Sequence, residues 1–336
     1  MVLERFSGTL TTAKMKVLVY GWYGKGNLGD DLFVDAFQYI FPDYQFTFTD
    51  KIKLSQLTNC DAVFIGGGSF LGECCQIASD AIETLKTKPI FYLGVGPETS
   101  IHPTHQELIK LAKLIAIRSQ SNLDSIQELN PRVIVIPDIV YSLPVKINFL
   151  KKPRSILYIP NISVVPKWDS PHWKHTSWDY FKIEMAQALD TLAKSNYEIK
   201  FLPFCTNDKM NDAFTAGEII NRMVYSTKGM CLPQPTSLSE VIDTISQYEL
   251  VVTQRFHGTI LANMAQTNCL TIHHHDKLKN SEGSKVSYYA CNKNMLLEHI
   301  ILMLNHKTES VLPIDRDIFV SLKEKVENAL CRGREQ

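Results

Sequence analysis

Residues 15–40 read MKVLVYGWYGKGNLGDDLFVDAFQYI, and the parsing of this stretch decides the architecture. Val17, Leu18 and Val19 form an unbroken apolar run, the pattern of a strand covered on both faces. Further on the period changes, and Leu32, Phe33, Ala36, Phe37 and Ile40 recur at helical spacing. Between the two lies a glycine-rich loop, Gly21 to Gly29. Strand, loop and helix in that order open a β-α-β unit and predict a parallel sheet.

The alternation continues outward from there. Strand patterns at 44–50, 60–68, 89–96, 114–118 and 133–138 are separated by helical patterns, among them 78–86, 105–113 and 121–129. The stretch YSLPVKINFLKKPR (141–154) has prolines, cations and no period, and reads as a linker. A second series follows, with strands expected at 155–161, 197–204, 249–254 and 268–275. Its helices are expected from about Trp178 to Ser195, around 213–224, at 237–248 and from Thr259. Ser237 followed by Glu240 makes a capping box for the third of these. The expected fold is α/β, with two Rossmann-like domains facing a cleft lined by strand C-termini. The boundaries read as a leader at 1–14, a first domain at 15–145, a second at 151–310, and a closing helix and tail at 311–336.

Bulk composition narrows the function. Lys plus Arg and Asp plus Glu both number 35, which argues against a basic nucleic-acid binder or a polybasic membrane anchor. No apolar run approaches the ~20 residues of a membrane span, and the first residues lack the apolar core of a signal peptide. None of the 8 cysteines forms a C-x-x-C pair, and Cys74 adjoins Cys75, so reduced thiols in a cytoplasmic protein are expected.

Gly24, Gly26 and Gly29 spell G-x-G-x-x-G after a strand, with Asp50 near the place of a ribose-binding acid. Two features count against a dinucleotide site. Gly21, Trp22 and Tyr23 lengthen the loop, and Asp30 and Asp31 occupy the helix N-terminus, where they would repel a pyrophosphate. Asp30 reads either as a helix cap or as an acceptor for a sugar hydroxyl proton. Two further glycine-rich strand exits, Gly66 to Ser69 and Gly94 to Gly96, point to one shared, close-packed rim.

In LVVTQRFHGTILANMAQ (250–266) a strand meets a helix. If the extended backbone runs through the seam, Arg255 and His257 project together, and Gly258 turns the chain into a helix whose N–H groups are free. Guanidinium, imidazole and helix N-terminus on one spot suit a small anion. Lys277 or Lys285 could add charge. His273, His275 and Asp276 lack supporting ligand spacing, so they read as part of the cleft rim and not as a metal site. The aromatic stretch PKWDSPHWKHTSWDY (166–180), with His172 and His175, reads as a loop that either stacks on a sugar or forms a surface cluster.

Six segments in order, GWYGKGNLGDD, FIGGGSFLGE, LGVGPETS, AIRSQSNLDSI, IPDIVYSLP and QRFHGTILANMAQT, resemble the polysaccharide pyruvyl transferase family over about residues 15–290. The resemblance implies a GT-B-like fold and a role in polysaccharide biosynthesis. It implies phosphoenolpyruvate as donor and a sugar or glycan as acceptor, joined as a pyruvyl ketal, with no metal and no cofactor. Carried over by position, Arg255 and His257 would hold the donor, with Arg118 as a further anion contact, and Asp30 would lie across the cleft. The chemistry of ketal formation adds roles to these residues: His257 as proton donor, Asp30 as acceptor of the hydroxyl proton, and Gly258 and Lys285 beside the donor. Gly26, Asn27, Gly29, Gly67, Gly68 and Ser69 would form the acceptor-side loops. Ser119 stands where the family often has an acid, and Pro97 follows Gly96 in place of the commoner glutamine-containing loop. A nucleotide-sugar glycosyltransferase and a catalytically silent sugar-binding protein of the same fold remain as alternatives, and a homo-oligomer is left open.

Overall fold

The computed structural model describes residues 14–96, 100–147, 150–161, 171–207, 211–227, 229–273, 284–287, 291–305 and 314–332, with only the backbone described at 122 and 171–177. The first sheet contains β1 (Met15–Tyr20), β2 (Tyr44–Thr49), β3 (Ala62–Gly68), β4 (Ile90–Val95), β5 (Leu114–Ile117) and β6 (Val133–Val135). They lie in the order β2-β1-β3-β4-β5-β6, all parallel. The second contains β7 (Ser155–Ile159), β8 (Glu198–Phe201), β9 (Leu250–Thr253), β10 (Asn268–His273) and β11 (Ser284–Ser287). Its order is β11-β10-β9-β7-β8, again all parallel. Every residue of β3, β4 and β5 is buried, as continuous apolar runs require when helices cover both faces.

Around these sheets lie α1 (Leu28–Ile40), α2 (Leu54–Leu57), α3 (Ile82–Lys86), α4 (Pro103–Leu111), α5 (Leu123–Leu129), α6 (Pro171–Lys194), α7 (Asp212–Ile220), α8 (Leu238–Ser246) and α9 (Phe256–Met264). Helices Lys293–Asn305 and Asp317–Arg332 follow. The expected apolar face of α1, Leu32, Phe33, Ala36, Phe37 and Ile40, is buried in full. The Ser237 hydroxyl accepts the Glu240 N–H at 3.2 Å and caps α8.

Two helix starts differ from the sequence reading. Helix α6 begins at Pro171, so the aromatic stretch is helical from that residue onward instead of a loop up to Tyr180. Proline suits the first helical position, where its missing N–H has no intrahelical partner to lose. The side chains of His172 and His175 lie outside the described residues, as do residues 166–170. Helix α9 begins at Phe256 with Arg255 as its N-cap residue, ahead of the expected start at Thr259.

Among the described residues, three apolar clusters build the interior, one within each domain and one that the two sheets share. Phe33, Phe37 and Phe64 of the first domain join Leu202, Phe204, Ile260 and Leu261 of the second in one buried cluster. The last helix returns to the first domain, adding Phe319, Leu322, Val326 and Leu330 to that cluster. Arg316 Nη2 donates to the Leu143 carbonyl at 3.0 Å, and Lys323 pairs with Asp43 at 3.4 Å.

Candidate active site

Between the domains lies a cavity of about 520 Å³, at the C-terminal ends of strands from both sheets. From the first domain it is lined by residues that include Trp22, Asn27, Asp30, Gly68, Ser69 and Arg118; from the second by Asn161, Gln254, Arg255, Phe256 and His257, among others. Both Rossmann-like sheets thus face their strand ends into it, the place where open α/β sheets gather ligands.

The glycine loop is stitched to the second domain. Leu28 N donates to Phe204 O at 2.9 Å, Thr206 N to Gly26 O at 3.2 Å, and Asn207 Nδ2 to Lys25 O at 2.9 Å. Gln234 Nε2 reaches both Gly26 O and Phe204 O, at 2.9 and 2.8 Å. Gly24 and Gly26 have φ of 66° and 68°, a backbone that favours glycine. Asn27 is the N-cap residue of α1, and its amide donates to Asp30 Oδ2 at 2.5 Å. Asp30 is therefore not the cap: it lies in the first turn, lining the cavity. Asp31 accepts the Gly24 N–H at 2.6 Å, while burial holds its carboxyl above the ordinary range. Asp50, the candidate ribose acid, is paired with Lys25 at 2.6 Å, which holds its pKa down.

Arg255 and His257 both line the cavity, but they do not project side by side. Because the helix has already begun at Phe256, the two side chains diverge. The Arg255 fork grips Asp212, with Nε at 3.1 Å from Oδ2 and Nη2 on Oδ1. Asp212 is fully buried and also accepts the backbone N–H groups of Phe204 and Cys205, at 3.0 and 2.9 Å. Burial works to lower the Arg255 pKa, but the Asp212 carboxylate outweighs it and the net direction is up. This guanidinium stays charged with its plane fixed, and among the described residues Nη1 makes no hydrogen bond.

His257 turns toward the first domain. Its ring is so close to Gly29 that a Cβ there would lie 2.2 Å from Nδ1. It meets Phe33 edge to face at 5.2 Å, and its Nε2 is 3.8 Å from Asp138 Oδ2. The same oxygen of Asp138 takes Arg118 Nη1 at 2.5 Å, in an ion pair whose side chains are both 2% exposed. Arg118 Nη2 donates to Ser69 at 2.7 Å, and the guanidinium stacks 4.5 Å over the Phe256 ring. Arg118, Asp138 and His257 thus form a polar chain across the domain boundary. A Cβ on Gly258 would lie 2.1 Å from Thr253 Oγ1, so glycine here lets α9 seat on the end of β9.

The remaining sequence candidates separate. Gly67 (φ 70°) packs on Phe33, and Gly68 (φ 130°) lines the cavity close to Asp30 and Phe70. Lys285 is on the edge strand β11 opposite Thr271, and it is not among the residues lining the cavity. His273 ends β10, whereas His275, Asp276 and Lys277 lie outside the described residues. Among the described residues no group of His, Cys, Asp and Glu could hold a metal ion, and no helix is long and apolar enough to cross a membrane. All eight cysteines are free thiols, and burial pushes Cys75, Cys269 and Cys291 up to about 12.

Sequence reasoning missed Asp138, Asp212, Asn161 and Gln254. Asp138 stands in IPDIVYSLP and Gln254 in QRFHGTILANMAQT; the need of Arg118 and Arg255 for an acidic partner was the available signal for Asp138 and Asp212.

A family model described as "Polysaccharide pyruvyl transferase" matches residues 27–276. No curated protein matches the chain in sequence. Among solved structures, the S. aureus MnaA–UDP co-structure superposes with a TM-score of 0.61 at 11% identity, covering 94% of this chain and 97% of that one. UDP-GlcNAc 2-epimerase from Methanocaldococcus jannaschii, in complex with UDP-GlcNAc and UDP, gives 0.55 at 9% identity, over 92% and 100%. The UDP-GlcNAc 2-epimerase from Neisseria meningitidis bound to UDP-GlcNAc gives 0.51 at 11%, over 94% and 100%. These likenesses establish the GT-B-like fold.

Proposed function

Since the chain belongs to the polysaccharide pyruvyl transferase family, whose model spans residues 27–276, we propose that it transfers a pyruvyl group from phosphoenolpyruvate to two hydroxyls of a sugar or glycan precursor, forming a ketal. The observation that carries this reading is the second-domain wall of the cavity: a fixed guanidinium, an imidazole and the N-terminus of α9. An anion bound there meets Arg255 Nη1 and the free N–H groups of the first turn of α9.

The reaction has four bond changes. A proton adds to the enol methylene carbon, and positive character develops at the central carbon. A sugar hydroxyl oxygen attacks that carbon and loses its proton. The bond from the central carbon to the phosphate oxygen breaks, releasing phosphate. A second hydroxyl then attacks, loses its proton and closes the ring. His257 is the group for the first step, because imidazole exchanges protons near neutral pH, and Asp138 behind it would stabilise the imidazolium. Asp30, with one carboxylate oxygen held by Asn27, takes the hydroxyl proton. Arg118 is balanced by Asp138, so in this scheme it braces the site and adds a secondary field to the donor pocket.

On the first-domain side the lining includes the half-exposed Trp22 together with Phe70, Asp50 and Glu73. Apolar ring faces and carboxylate acceptors suit a sugar ring with free hydroxyls, so this flank is the acceptor side.

The test is direct incubation. With phosphoenolpyruvate and a panel of sugar acceptors, phosphate should appear and mass spectrometry should find a pyruvyl ketal on the acceptor. Phosphoenolpyruvate should raise Tm. If UDP-sugars raise Tm and phosphoenolpyruvate does not, the nucleotide-sugar reading replaces this one.

A further inference from the structure

Gln254, the residue before the Arg255 clamp, is 0% exposed and lines the cavity, yet half of its side chain is unused. Its carboxamide oxygen accepts the Tyr158 hydroxyl and the Asn161 backbone N–H, the latter at 3.4 Å. A backbone N–H can only donate, so the oxygen has to face Asn161 and the NH2 has to face away from it. That NH2 is buried and has no hydrogen-bond partner among the described residues. Buried donors are rarely left unpaired, and one lining a cavity is placed for a ligand acceptor. The backbone is pinned as well, since Gln254 N donates to Ile159 O at 3.0 Å.

We propose that the Gln254 amide is a binding group for the donor, giving an N–H to a carboxylate or phosphate oxygen held between it, Arg255 and the first turn of α9. The assignment to the donor rests on the function proposed above. It also makes Gln254 a specificity element: a neutral donor group reads an anionic oxygen without adding charge to a site whose two arginines are already balanced.

Gln254→Glu tests this, because glutamate keeps the oxygen that faces Asn161 and replaces the NH2 by a second oxygen. At pH 8 the donor KM should rise about ten-fold or more, with acceptor KM unchanged. Below about pH 6 the penalty should shrink as the carboxyl gains a proton and can donate again. An unchanged donor KM at both pH values, or a rise confined to acceptor KM, overturns the proposal. Should this variant not fold, Gln254→Met serves, with the same expected split between donor and acceptor KM. Thermal shift with phosphoenolpyruvate and with inorganic phosphate separates the two levels of the argument. No response from the wild type removes the donor reading and this assignment with it. A wild-type response that Gln254→Glu matches removes this assignment alone.

Discussion

At the residue scale, the site depends on charges that are held before any ligand arrives. Arg255→Ala would strand the Asp212 carboxylate in a fully buried position, and breaking such a pair costs about 3–5 kcal/mol. Denaturant unfolding should show that loss together with loss of turnover. Arg255→Lys should keep more stability than alanine but recover little activity, since an ammonium cannot reproduce the fork. A second prediction concerns His105 of α4, whose Nδ1 is 3.0 Å from the Tyr92 hydroxyl. Burial, with a smaller push from His102, lowers its pKa to about 4. Between pH 6.5 and 4 the unfolded chain binds the proton that the folded one refuses, so stability is complete above that window and falls with pH inside it. At about 1.4 kcal/mol per pH unit the loss is about 3 kcal/mol. His105→Gln removes it, so the Tm advantage of the wild type should narrow steadily from pH 6.5 to 4. Arg255 and His257 were legible in sequence because they share one seam. Asp212 was not, because its meaning comes from a partner 43 residues away, and no local pattern announces that meeting.

At the element scale, the strands were the most legible part, since continuous apolar runs such as Ala62–Ile65 leave few alternatives. Helix starts were less so. The first turn of α9, Phe256 to Gly258, carries no apolar period, and a strand continuing through it fits the letters equally well. The junction of α1 with α9 is where this matters. Gly29→Ala would drive a methyl into the His257 ring, whose Nδ1, Cγ and Cβ would lie at 2.2, 2.5 and 2.8 Å, so the whole ring has to move. Turnover should fall at least ten-fold while stability falls by about 1–3 kcal/mol, measured by steady-state kinetics and denaturant unfolding. A variant with wild-type kinetics would show that the His257 position does not govern the chemistry.

At the scale of the whole molecule, the two-domain plan could be read from the alternation of periods, but the closeness of the domains could not. Backbone bonds such as Leu28 N to Phe204 O leave no trace in either segment alone. The apolar cluster common to both domains couples their unfolding, so calorimetry should find a single peak for the full chain. A chain ending at residue 305 should be strongly destabilised. It exposes the surface that Phe319, Leu322, Val326 and Leu330 cover, each fully buried side chain of this kind being worth about 1.5–3 kcal/mol. The return of that last helix also has a meaning for connectivity. The second domain is joined to the first at both of its ends, once after the first sheet and again before Asp317. It is thus an insertion within the first domain and not a tail of it, so a single cut at the first crossing would leave the second domain still tied to a helix that packs on the first.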